Sequence, residues 1–205
     1  MPRTFRIILI ALVIMGSLGR PAIAESIDDA ISSYKGGDYQ KALSLFRPSA
    51  DRGNTTAQTY LGDMYFYGQG VPQSYSDALS WYRLAAAQNA AAAQNSLGFM
   101  YQIGEGIPKN TGEAIKWYTK AADQGYSLAQ NNLGILYSSG QEIPLDYVQA
   151  YKWFNLVSSR DADSDKRSRA AQVRDVIAAL MTPGQIAEAQ WLAREWKPVP
   201  SAHAP

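Results

Sequence analysis

Three patterns in this chain could do chemistry. Residues 97–110 read LGFMYQIGEGIPKN, in which Gly104 and Gly106 form a G-x-G after an apolar stretch, the spacing of a loop that cradles phosphate. Ser32-Ser33-Tyr34-Lys35 is an S-x-x-K, which sets a serine nucleophile one helical turn from a lysine base. Trp81, Trp117 and Trp153, each followed by Tyr or Phe, offer flat faces on which a ligand could stack.

Each pattern also has a structural reading, and the context favours it. A phosphate loop follows a strand and opens a helix. Here helical spacing precedes the glycines, and the same pair recurs at Gly68 and Gly70, so Gly104 is expected to end a helix in the left-handed conformation. The S-x-x-K lacks its companions S-D-N and K-T-G. The tryptophans recur at helical spacing and are expected in the core. Glu105, Glu113 and Asp123 stand unpaired. With no Cys and a single His, His203, near the C-terminus, neither a catalytic residue nor a metal ligand set is expected, and no motif calls for a cofactor. A net charge of +1 argues against a nucleic-acid partner.

The elements that carry these residues repeat. Leu61-Gly62, Leu97-Gly98 and Leu133-Gly134 are spaced by 36 (97−61 and 133−97). In the same register come Ala57-Gln58, Ala93-Gln94 and Ala129-Gln130, then Tyr65, Tyr101 and Tyr137, then Pro72, Pro108 and Pro144. Tyr39, Ala42, Leu43 and Phe46 form a weaker upstream copy, in which Pro48 should kink or shorten the second helix. Each unit reads as two helices. Glycine inside the first helix is unfavourable by about 1 kcal/mol against alanine. Its recurrence predicts close helix–helix approach, under the Trp of a neighbouring helix.

A-Q-x-x-L-G-x-x-Y-x-x-G-x-G-V/I-P followed by A-x-x-W-Y-x-x-A-A-x-Q-G resembles the Sel1-like repeat, a relative of the tetratricopeptide repeat; residues 93–125 match throughout. The resemblance implies an all-α, right-handed superhelical solenoid with C-terminal capping helices. The expected units are a degenerate helix pair at 25–54, repeats at 55–90, 91–126 and 127–160, a cap at 161–196 and a disordered tail at 197–205. The third copy departs from the pattern at Glu142, where a loop glycine belongs, and at Val157-Ser158, where an Ala pair belongs; both suit a terminal unit. In the cap, Ser164 or Asp165 is the expected N-cap, Ala170, Val173, Ile177 and Leu180 an apolar stripe, and Thr182-Pro183 the start of the last helix.

Arg3 and Arg6, the apolar run 7–18 and Ala22-Ile23-Ala24 read as a secretory signal cleaved after Ala24. The run is well short of the ~20 residues of a spanning helix, so a periplasmic or secreted protein with no membrane span after cleavage is expected. No heptad pattern defines an oligomer.

The implied function is an exported adaptor or scaffold, not an enzyme, that binds protein or peptide partners in a concave groove. The resemblance to exported Sel1-like proteins implies roles such as regulating a membrane sensor, scaffolding envelope machinery or supporting host interaction. By the same resemblance, the residues flanking Leu-Gly face the groove: Thr59, Tyr60 and Asp63, then Asn95, Ser96 and Phe99, then Asn131, Asn132 and Ile135, with Phe66 and Tyr67 one turn on. Asn amides suit a peptide backbone and the aromatic rings suit apolar anchors. The alternatives are a cell-wall-directed penicillin-binding or hydrolytic protein acting through Ser32, and a module for glycans.

Overall fold

The computed structural model describes residues 27–199 and forms ten α-helices in that span. They are α1 (Ile27–Lys35), α2 (Tyr39–Asp51), α3 (Thr55–Tyr67), α4 (Tyr75–Ala87), α5 (Ala91–Ile103), α6 (Thr111–Asp123), α7 (Ser127–Ser139), α8 (Tyr147–Arg160), α9 (Ser164–Ala178) and α10 (Pro183–Glu195). The secretory signal expected at 1–24 lies outside the described residues.

Local chemistry sets the helix ends. Asn54, Ser74, Asn110 and Asp146 sit at N-caps and accept from the backbone three residues on, satisfying donors the first turn leaves free. Gly68, Gly104 and Gly140 end α3, α5 and α7 at φ 69°, 82° and 62°, the left-handed region where a side chain is strained. The linker then closes on the helix it leaves: the N–H groups of Ser74, Asn110 and Asp146 donate to the carbonyls of Tyr65, Tyr101 and Tyr137. The G-x-G is therefore a hairpin between helices.

The helices pack in chain order, α1 on α2 through α8 on α9, and α10 folds back on α8. Each pair buries one face against the next, as a solenoid must. Two differences from the sequence expectation concern aromatics. The ring over the helical glycine is the residue after the Trp, from the second helix of the same unit. Cβ atoms on Gly62, Gly98 and Gly134 would meet Tyr82, Tyr118 and Phe154 at 2.4, 2.7 and 2.7 Å. Trp153 is buried, but Trp81 and Trp117 are only half-buried. Their outer faces carry Arg47 and Lys120, as Trp153 carries Lys152.

The A-Q motif is the joint between units. Gln58, Gln94 and Gln130 are buried, and each donates to the chain at or just past the end of the preceding helix: the Ala50 carbonyl, Asn89 Oδ1 and the Ala122 carbonyl. Gln88 and Gln124, the C-cap residues of α4 and α6, donate in turn to Gln58 and Gln94. Pro48 does not shorten α2, which runs the same 13 residues as α3.

At the C-terminal end, Val157 packs with Ala170 and Ile177 of the cap. Glu142 replaces a glycine whose counterparts lie against Tyr39 and Tyr75 backbone; it holds Thr111 and Lys109 by hydrogen bonds instead. The N-cap of α9 is Asp163, one residue before the expected position, and Thr182 caps α10 with a full capping box. Val173 is exposed, and α9 ends at Ala178, before the exposed Leu180, so the expected apolar stripe shrinks to Ala170 and Ile177. Of the tail expected at 197–205, residues 200–205 lie outside the described residues; Val199 N–H donates to the Asp123 carbonyl, and Trp196 just before it stacks on Arg160.

Candidate functional site: an aromatic cleft around Asp63

The first helices of successive units, α3, α5 and α7, present their free faces side by side. Small residues at 90–92 separate α3 from Tyr126 and leave a cleft of ≈ 390 Å³ lined by Thr55, Thr56, Thr59, Tyr60, Asp63 and Tyr126. A second cleft of ≈ 190 Å³ adjoins it, lined by Asp63, Phe66, Tyr67, Tyr82, Asn95, Ser96, Phe99 and Asn132. Asp63 belongs to both and joins them.

Asp63 is held from beneath. The Tyr82 ring crosses over Gly62, and its hydroxyl emerges beside α3 to donate to Asp63 Oδ1 at 2.6 Å. The same crossing at Gly98 brings the Tyr118 hydroxyl to Gln102 at 2.8 Å. At Gly134 the ring is Phe154, which carries no hydroxyl. The unit containing α3 alone therefore raises a carboxylate into the groove by this device.

The walls are aromatic. Tyr60 stacks on Phe46 at 4.8 Å, and Tyr34 meets its edge at 5.0 Å. Beyond Asp63, Phe66 contacts Tyr67 and Phe99 at 4.9 and 6.0 Å. Burial drives the Asp63 carboxyl from its ordinary 3.8 up to about 6, against the lowering effect of the Tyr82 hydrogen bond. Burial, with the nearby Asp63 charge, also raises the phenols of Tyr34, Tyr60, Tyr67, Tyr82 and Tyr126. Among the described residues no Lys or Arg pairs with Asp63.

The expected groove residues divide into four sets. Tyr60, Asp63, Asn95, Ser96, Phe99 and Asn132 line the paired clefts, and Asn132 Nδ2 donates to Asn95 Oδ1 at 3.0 Å across α5 and α7. Thr59 and Phe66 reach the clefts but are largely buried, and the Thr59 hydroxyl is already bonded to the Thr55 carbonyl. Asn131 lies elsewhere, in a cleft of ≈ 250 Å³ against the cap with Leu128, Lys166 and Val173. Ile135 is exposed and lines none of these clefts.

Sequence reasoning missed Tyr82 and Tyr126. Tyr82 reads as core because its ring is core; only its hydroxyl arrives at the site. Tyr126 had a signal: it occupies the N-cap of α7, a place for Asn or Ser, and makes no capping bond. A residue that breaks a local rule often serves something else. Ser32 and Lys35 are exposed on α1 and line none of these clefts.

The fold and cleft define a helical-repeat solenoid with a groove on its first helices. The chain belongs to the Sel1 repeat family: the family profile matches residues 33–54, 55–89, 91–126 and 127–158. Two of the solved structures that resemble it are a protective antigen and a Sel1 repeat protein. A protective antigen of uropathogenic Escherichia coli strains, displaying an SLR fold, is 29% identical with a TM-score of 0.67, and the match covers 82% of this chain but 38% of that one. A Sel1 repeat protein from Oxalobacter formigenes is 30% identical with a TM-score of 0.60, covering 82% of this chain and 74% of that one. No curated protein matches the sequence. Sel1 repeat proteins generally act as scaffolds for protein–protein interaction.

Proposed function

We propose that this protein is an exported, non-catalytic scaffold that holds an extended segment of a protein partner in the paired clefts along α3, α5 and α7. The observation that carries this reading is the continuity of the two clefts through Asp63, with aromatic walls and Asn amides along one face. Asn95 and Asn132 suit backbone amides, and Tyr60, Tyr67 and Phe99 suit apolar side chains. The signal-like N-terminus supports action in the periplasm or outside the cell, in envelope regulation or assembly. The hydrolase reading gains nothing from the clefts described above, which Ser32 and Lys35 do not line. Among the described residues, no helix is long and apolar enough to cross a membrane.

The test is an array of N-acetylated random dodecapeptides attached through their C-termini. Wild type should retain a subset, and Tyr67→Ala/Phe99→Ala, at two exposed rings, should lose that subset while keeping its helicity. Undiminished retention by the double variant would remove the cleft as the binding site.

A further inference from the structure

Two faces of the molecule treat cations differently. On the second helices and the cap, Trp81, Trp117, Trp153 and Trp196 each carry an Arg or Lys over the ring. Inside the paired clefts the arrangement is inverted. Tyr60, Tyr67 and Phe99 surround a carboxylate, and no lining residue is basic. Asp63 Oδ1 is taken by Tyr82, and the described residues form no other hydrogen bond to this carboxylate. A carboxylate set among aromatic faces, without a cation of its own, attracts one from outside.

We infer that the segment bound in the cleft presents a lysine or arginine side chain to Asp63, its charged head on the carboxylate and its aliphatic stem against Tyr60 and Tyr67. This inference rests on the groove reading above and specifies the partner's chemistry. Charge complementarity chooses the occupant: an acidic segment would meet Asp63 with nothing to offset the repulsion, and a neutral one would leave the carboxylate desolvated and unpaired. Tyr82 fixes the carboxylate before any partner arrives, so little ordering remains at binding.

Acid should weaken the interaction. The groups facing Asp63 are Tyr34 of α1, Tyr60 and Tyr67 of α3, Tyr82 of α4 and Tyr126 ahead of α7; α5 contributes Asn95 and Ser96, and α7 contributes Asn132, all uncharged. The phenols are shifted upward and stay neutral in acid, so Asp63, with its carboxyl near 6, is the group that loses charge as pH falls from about 7.5 to 5.

The experiment uses the full chain and the same N-acetylated array, on which ammonium groups come only from lysine side chains. Peptides retained by wild type should share a Lys or Arg at one position. Replacing that residue by norleucine should weaken binding at least ~10-fold, and Asp63→Asn should bind the Lys and norleucine versions alike. Retained peptides that tolerate norleucine, or that prefer Glu there, overturn the inference. The groove reading survives that outcome if Tyr67→Ala/Phe99→Ala still abolishes retention. No retention of any peptide by wild type removes both. The norleucine comparison needs no change in the protein, so it decides the matter even if Asp63→Asn folds poorly.

Discussion

Asp63 carries its charge where the fold does not favour one. Its carboxyl sits at about 6 in the folded chain against an ordinary 3.8. Between those values the folded state holds more protons than the unfolded state, so stability declines as pH rises through that window and is flat above it. The full rise is equivalent to ~3 kcal/mol; because Asp63 keeps part of its surface open to the cleft, we discount it to ~1–2 kcal/mol. Asn keeps an acceptor for Tyr82 but no charge. Asp63→Asn should therefore exceed wild type by ~1–2 kcal/mol at pH 7 and match it near about pH 3.5, read from urea unfolding at both. A variant less stable at pH 7 would contradict the desolvated carboxylate. The paired aromatics give a second residue-scale test. Tyr118 is fully buried and Trp117 is not. Tyr118→Ala should lower stability by ~3–5 kcal/mol and Trp117→Ala by only ~1–2 kcal/mol, and the reverse order would restore the Trp as the core residue. Sequence spacing could place both on one helix but could not say which inserts, because Trp and Tyr there are adjacent and both aromatic.

Gly98 and Gln94 are the element-scale devices of the repeat. Gly98 lets the α6 aromatic lie directly on α5, where a Cβ would stand 2.7 Å from the Tyr118 ring. Gly98→Ala gains helix propensity, but the buried ring has little room to yield. A net loss of ~1–3 kcal/mol in chemical denaturation is expected. Gln94 links Asn89 and Gln124 from two neighbouring units. Gln94→Leu leaves those partners short of a bond and should lower stability by ~1–3 kcal/mol, with a shallower, less cooperative unfolding transition. Unchanged cooperativity would contradict its role as the joint. The helices and the glycine stops were legible in sequence because they rest on local chemistry. The glutamine joint was visible only as a repeated letter, since its partners lie about one repeat away or in the preceding helix. The cap was legible in part: Thr182-Pro183 follows a local rule, whereas Val173 and Leu180 have the right period but no neighbour to cover them.

At the scale of the molecule, the register of 36 residues predicted the solenoid because stacking repeats is the way such helix pairs bury their faces. Of the residues that register picks out, Tyr60, Asp63, Asn95, Ser96, Phe99 and Asn132 line the paired clefts. Asn131 instead lines a cleft with Lys166, Arg169 and Val173 of α9, and Ile135 is exposed outside these clefts. If partners bind along α3, α5 and α7 and not on the opposite face, photocrosslinking will show it, with p-benzoylphenylalanine in place of Tyr67 in the cleft or of Leu84, an exposed residue on α4. With an array-selected peptide, a crosslink is expected from position 67 and none above background from position 84. Equal crosslinking from both, or crosslinking from position 84 alone, would contradict it.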